Sequence, residues 1–137
     1  MPKIAKLVFS ILMAVISSQA LADSTQIDSD LEQCIEADST TAGMVNCSYK
    51  AYSLWDKELN ANYKHLIDVL PPSKKQQLRN SQKQWLVFRD AEFKTIDSVY
   101  SILDGTMYIP MRVSDRTQIV KARALQLSEY ASLIDQQ

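Results

Sequence analysis

Two cysteines, a single histidine and sixteen acidic residues are the groups of this 137-residue chain most able to do chemistry. Cys34 and Cys47 stand too far apart for a Cys-x-x-Cys redox motif, and no His or Cys cluster supplies zinc ligands. His65 lies in the helical run Tyr63-Lys64-His65-Leu66, where a solvated position is expected rather than a catalytic base. No Gly-x-Ser-x-Gly elbow, Cys/His pair or Gly-rich phosphate loop is present, and the carboxylates are scattered along helix faces. The expectation is a protein that is not an enzyme and uses no cofactor and no metal. With 23% charged residues, a net charge of −1 and no Lys/Arg runs, the chain also lacks the basic face of a nucleic-acid binder.

The cysteines acquire a role from the N-terminus. Lys3 and Lys6 precede the apolar run Leu7 to Ile16, and Ala20-Leu21-Ala22 follows, the pattern of a secretory signal with an A-x-A cleavage site. The apolar run is about half of the roughly 20 residues that a membrane span needs. Residues 1–22 are therefore read as a signal peptide and residues 23–137 as one exported domain, periplasmic or secreted, without a membrane span. Asp23 stands where a lipoprotein would carry its Cys. Loss of Lys3 and Lys6 takes the formal charge from −1 to −3, which mildly favours encounter with a basic partner. An oxidising compartment favours a Cys34–Cys47 bridge over two free thiols. Closing that short loop stabilises the fold by about 3 kcal/mol in the chain-entropy picture.

The elements that hold these residues follow from composition and period. Only two Gly and four Pro punctuate a chain that is 46% hydrophobic, so long helices with few joints are expected and a sheet of short strands is not. After the polar leader Asp23 to Asp30, a short helical turn is read over Leu31 to Ala37, and Ser39-Thr40-Thr41 offers N-cap hydroxyls. Cys47, Ala51, Leu54, Trp55, Leu59, Tyr63, Leu66 and Leu70 then recur at steps of three and four until Pro71-Pro72. Ser73 with Gln76 is a capping-box pattern for a second long helix through Leu78, Trp85, Phe88, Ile96 and Leu103 to a stop at Gly105. A third begins at Ser114-Asp115 and carries Ile119, Val120, Leu127, Tyr130 and Leu133. The expected fold is all-α: a long antiparallel helical hairpin, a third helix packed along it, and one disulfide near the N-terminus.

Counted from the proline corner, Asp56 and Arg89 fall at nearly the same height on the two arms, with Asp90 beside Arg89. Asn60 similarly faces Gln82 and Trp85. These six residues are read as a structural polar layer that fixes helix register, in preference to a binding site, because buried polar groups are normally paired. The segment Thr106-Met107-Tyr108-Ile109-Pro110-Met111 is apolar yet irregular. Left exposed it would be a partner contact, but its two methionines favour its capping one end of the bundle.

At these residues the sequence resembles the LprI-type lysozyme inhibitor family. The resemblance is carried by Cys34, Ser39-Thr40, Met44, Cys47 and Trp55-Asp56-Lys57-Glu58-Leu59-Asn60 with Tyr63. It continues in Gln82, Trp85, Phe88-Arg89-Asp90-Ala91-Glu92, Gly105-Thr106 and then Arg123, Leu127 and Tyr130. The resemblance implies an exported helical protein that binds and blocks a lysozyme-type glycan hydrolase without chemistry of its own. Many members carry a second cysteine pair, but Phe93 stands at its first position here, so the third helix is expected to be held by packing alone. The alternative on the same features is a periplasmic interaction, immunity or adaptor module for another envelope partner.

Overall fold

A computed structural model describes the backbone of residues 17–137 and the side chains from Thr25 onward. Most of the expected signal peptide lies outside the described residues. Among the described residues there are four helices, α1 (Ser17–Ala37), α2 (Thr41–Val69), α3 (Pro72–Tyr100) and α4 (Tyr108–Asp135), and no strand. The all-α expectation is met, and so is the N-terminal disulfide, which joins Cys34 of α1 to Cys47 of α2 with Cα atoms 5.8 Å apart.

The first helix is far longer than the short turn expected over Leu31 to Ala37. Ile27 and Leu31 pack one turn apart on the core, and that narrow apolar line was enough to make the polar leader helical. Side-chain bonds one turn apart, Gln26 to Asp30 and Gln33 to Ser29, reinforce it. The joint to α2 is built on Thr40, whose Oγ1 accepts from the Gly43 N–H at 3.0 Å as the N-cap. Asp38 Oδ1 in turn accepts from the Thr40 N–H (3.1 Å) and hydroxyl (2.7 Å), and these bonds hold the Asp38 carboxyl below its ordinary pKa. Gly43 is required by close approach, since a Cβ there would lie 2.5 Å from the Asp38 carbonyl oxygen.

Pro71-Pro72 ends α2 as expected, but Pro72 itself begins α3. No side chain caps this helix, so the Ser73/Gln76 capping box does not form. Proline at N1 costs nothing because the first N–H groups of a helix lack intrahelical acceptors. The same reasoning corrects the last helix. Pro110 sits in the first turn of α4, which therefore starts at Tyr108 and not at Ser114. In compensation α3 ends at Tyr100, where the chain tightens into i to i+3 bonds from Ile102 to Val99 and Leu103 to Tyr100. Gly105 then takes a positive φ of 123°.

Helix directions are read from the contacts. Trp55 lies under Lys121, Asn62 donates to the Ala124 carbonyl and His65 meets Asp135, so α2 and α4 run parallel. Ser81 and Gln82 meet Arg123 while Asp97 meets Arg116, so α3 is antiparallel to α4. The densest packing is between α2 and α4, where Trp55, Leu127 and Val120 are fully buried among Ala51, Leu59, Leu66, Ala124 and Ala131. The small alanines let the two backbones approach. The two arms of the hairpin thus share α4 as their main partner, and α3 adds only Leu78 to the buried residues.

Candidate partner-binding surface

The six residues expected to form one polar layer are distributed over separate contacts. On α2, Asn60 Nδ2 donates to the Asp56 carbonyl (2.8 Å) and carboxylate (3.3 Å), within one helix. On α3, Arg89 gives Nε and Nη2 to Asp90 Oδ1 at 2.9 and 2.7 Å. The expected Asp56–Arg89 pair is thereby corrected. Arg89 finds its carboxylate next door and lays its guanidinium 5.6 Å from the Trp85 ring and 5.7 Å from the Phe93 ring. The helix-to-helix link at this level is made instead by Arg123 of α4.

Arg123 Nε donates to Gln82 Oε1 at 3.0 Å, Nη2 to Ser81 Oγ at 3.2 Å and Nη1 to Gln126 Oε1. It is buried, and burial is the main cause that lowers its pKa; it remains a cation because its donors are satisfied. The available sequence signal was a cation set among the buried residues Val120, Ala124 and Leu127.

A second polar cluster went unread in the sequence. Asp97 of α3 accepts from Arg116 of α4, with Arg112 Nε 3.9 Å away. Tyr100 donates its hydroxyl to Asp115 Oδ2 at 2.7 Å, which raises the Tyr100 pKa because the carboxylate holds the proton. The Arg116 guanidinium lies 5.3 Å from the Phe93 ring, and Tyr52 of α2 reaches the same ring at 6.3 Å. Phe93 is thus wedged between α2 and α4. The last helix is held by packing and by these polar pairs together, a correction to packing alone.

This cluster forms a firm base beneath the α3–α4 joint. The side chains above it do not cap the bundle: Met107 is 59% exposed, Ile109 44% and Met111 43%, while Tyr108 is half-buried with its ring 6.3 Å from Tyr100. Thr106 is exposed. The reason is that α4 already starts at Tyr108, so Pro110 and Val113 take the inward positions and their neighbours on the helix turn outward. Ile102 (81% exposed) and Leu103 extend the apolar surface, and the sequence pattern had placed Leu103 in the core stripe. The result is an apolar knob at one end of the bundle, with exposed Asp104 beside it.

The rest of the described surface offers little for chemistry. His65 Nε2 is engaged with Asp135 at 2.9 Å. Among the described residues no cluster of His, Cys, Asp or Glu could hold a metal ion, and no helix is long and apolar enough to cross a membrane. Two small cavities, one beside Cys34 and Cys47 and one beside Ser48 and Thr117, hold about 10 and 20 Å³, room for at most a single water each.

Comparison with known proteins agrees with this architecture. A crystal structure of an uncharacterised protein from Burkholderia thailandensis superposes with a TM-score of 0.73 at 33% identity, over 79% of this chain and 54% of that one. The chain thus spans about half the length of that relative. No curated protein matches the chain. The family model described as lysozyme inhibitor LprI matches residues 34–127, from the first disulfide cysteine to the buried Leu127, and the chain belongs to this family.

Proposed function

We propose that this protein is an exported inhibitor that binds a lysozyme-type glycan hydrolase and blocks its cleft with the knob at the α3–α4 joint. Membership of the family supports a lysozyme-type partner. The observation that carries the reading is the exposure of Ile102, Met107, Ile109 and Met111 above a cross-linked base. Hydrolases of this kind cut glycan with two carboxyl groups in a cleft, so an inhibitor needs to fill that cleft and exclude sugar, not to react. An apolar protrusion suits this because it can displace water and sugar from the cleft through burial of its exposed side chains. The disulfide and the signal-like N-terminus support action outside the cytoplasm, in the periplasm or beyond.

The test is titration of animal-type and bacterial muramidases with the purified protein. Stoichiometric loss of hydrolysis is expected, and it should be abolished by Met107→Asp with Ile102→Asp while helicity is unchanged. If every hydrolase stays fully active, the inhibitor reading fails. Capture of another envelope protein that depends on the same knob residues would then identify an adaptor or immunity role.

A further inference from the structure

The apolar knob is also where the chain keeps its accessible sulfur. Of the three methionines beyond Thr25, Met107 is 59% exposed and Met111 43%, whereas Met44 is partly buried in the first turn of α2. Both cysteines are consumed in the Cys34–Cys47 bridge, so no free thiol competes for an oxidant. Met107 is the N-cap of α4 and already has helical backbone angles, φ −61° and ψ −28°, so Met111 follows it one turn on along the same face. The two thioethers are neighbours on the knob.

Oxidation at these positions alters the surface and spares the fold. Neither side chain belongs to the core, and the base beneath them is held by Asp97 with Arg116 and Tyr100 with Asp115, contacts that involve no sulfur. The start of α4 is likewise fixed by backbone bonds, from the Tyr108 N–H to the Gly105 carbonyl and from the Ile109 N–H to that of Thr106. A thioether is a soft apolar group that adapts to whatever it touches. A sulfoxide carries a strong acceptor oxygen, which costs free energy to bury without a donor.

We infer that Met107 and Met111 form an oxidant-sensitive modification site, and that their conversion to sulfoxides by a peroxide turns the knob from apolar to polar and weakens what it binds. In each event the thioether sulfur attacks one peroxide oxygen, and an S–O bond forms as the O–O bond breaks. The departing hydroxide takes the proton from the new S–O–H and leaves as water. Sulfur gives up two electrons and the peroxide receives them. Exposure and thioether chemistry set the reaction itself; only its effect on inhibition rests on the proposed function.

The test treats the full chain with dilute hydrogen peroxide, quenches with catalase and reads each methionine by peptide mass spectrometry, with far-ultraviolet circular dichroism to confirm folding. Met107 and Met111 are expected to gain one oxygen each well before Met44, with helicity unchanged, and the oxidised protein to elute earlier from a hydrophobic-interaction column. Its inhibition of a muramidase should weaken by about tenfold or more, the scale for burying an unpaired polar group. Met107→Leu with Met111→Leu keeps the apolar surface and should hold both elution and inhibition through the same treatment. Met44 reacting as fast as the pair, or unchanged elution of the oxidised protein, overturns the inference. So does oxidised protein that inhibits as well as untreated protein, or a leucine variant that loses inhibition to peroxide. If untreated protein inhibits no hydrolase, the proposed function alone fails, and the mass and elution readouts still decide the modification site.

Discussion

Arg123 of α4 and Gln82 of α3 meet at 3.0 Å, and this contact ties the outer helix to the core pair. Around it Ser81 and Gln126 accept from the remaining donors and Trp85 lies 6.0 Å from the guanidinium. Replacing Arg123 with Ala removes its packed stem and leaves Gln82 without its donor. A loss of about 1 to 3 kcal/mol in urea unfolding is expected, from the lost packing of the buried stem and the broken hydrogen bonds to Gln82 and its partly exposed neighbours. Arg89→Ala should cost less than about 1 kcal/mol, because its carboxylate partner Asp90 is exposed and can be solvated. Equal losses for the two would contradict this assignment of register to Arg123.

Reduction of Cys34–Cys47 releases α1 from the start of α2 and should lower stability by about 3 kcal/mol. Paired urea curves with and without reductant measure it. The same samples should differ by the mass of two hydrogens. Two thiols that react with alkylating agent in unreduced, unfolded protein would exclude the bridge.

Gly43→Ala should distort the α1–α2 joint, since the added Cβ meets the Asp38 backbone carbonyl, which cannot rotate away. A loss of about 1 to 3 kcal/mol is expected, the range for overpacked sites. Amide exchange at the Gly43 N–H, protected in the wild type by Thr40, should accelerate in Thr40→Val.

The Asp38 carboxyl gives this joint an acid sensitivity of defined sign. Its folded pKa is depressed by the side-chain and then the backbone bond from Thr40, so its contribution is complete above the unfolded value, about pH 4 for a carboxylate. It is lost as pH falls through the lower folded value. Carboxyl carbon NMR of Asp38 should show the depressed titration, and Asp38→Asn should remove this part of the acid dependence. A midpoint at or above the unfolded value would refute the bond pattern.

The three long helices after Thr40 and their joints were largely legible, because Pro71-Pro72 and Gly105 act through local backbone geometry, while the length of α1 was not. The termini were legible only in part. Pro110 reads as a breaker until one knows it lies in a first turn, and Ile27 as a lone apolar residue until α2 provides its seat. Register between helices was the least legible. Arg89 and Asp56 share a height, but Asp90 lies adjacent to Arg89 and captures it, and adjacency is a tertiary-free choice that counting from the corner does not weigh. Of the partner surface, Thr106 to Met111 was identified by composition, whereas its exposure depended on where α4 begins.

The parallel pairing of α2 and α4 has a consequence for how the chain matures. Trp55 gains its cover from Val120, Ala124 and Leu127, residues made long after it, with the whole of α3 in between. During synthesis α1 can cover one side of the α2 stripe, but the side that takes α4 stays open until the last helix is made. Quenching or shift of indole emission would time the arrival of the last of the four helices. Until that moment Trp55 has only part of its final cover.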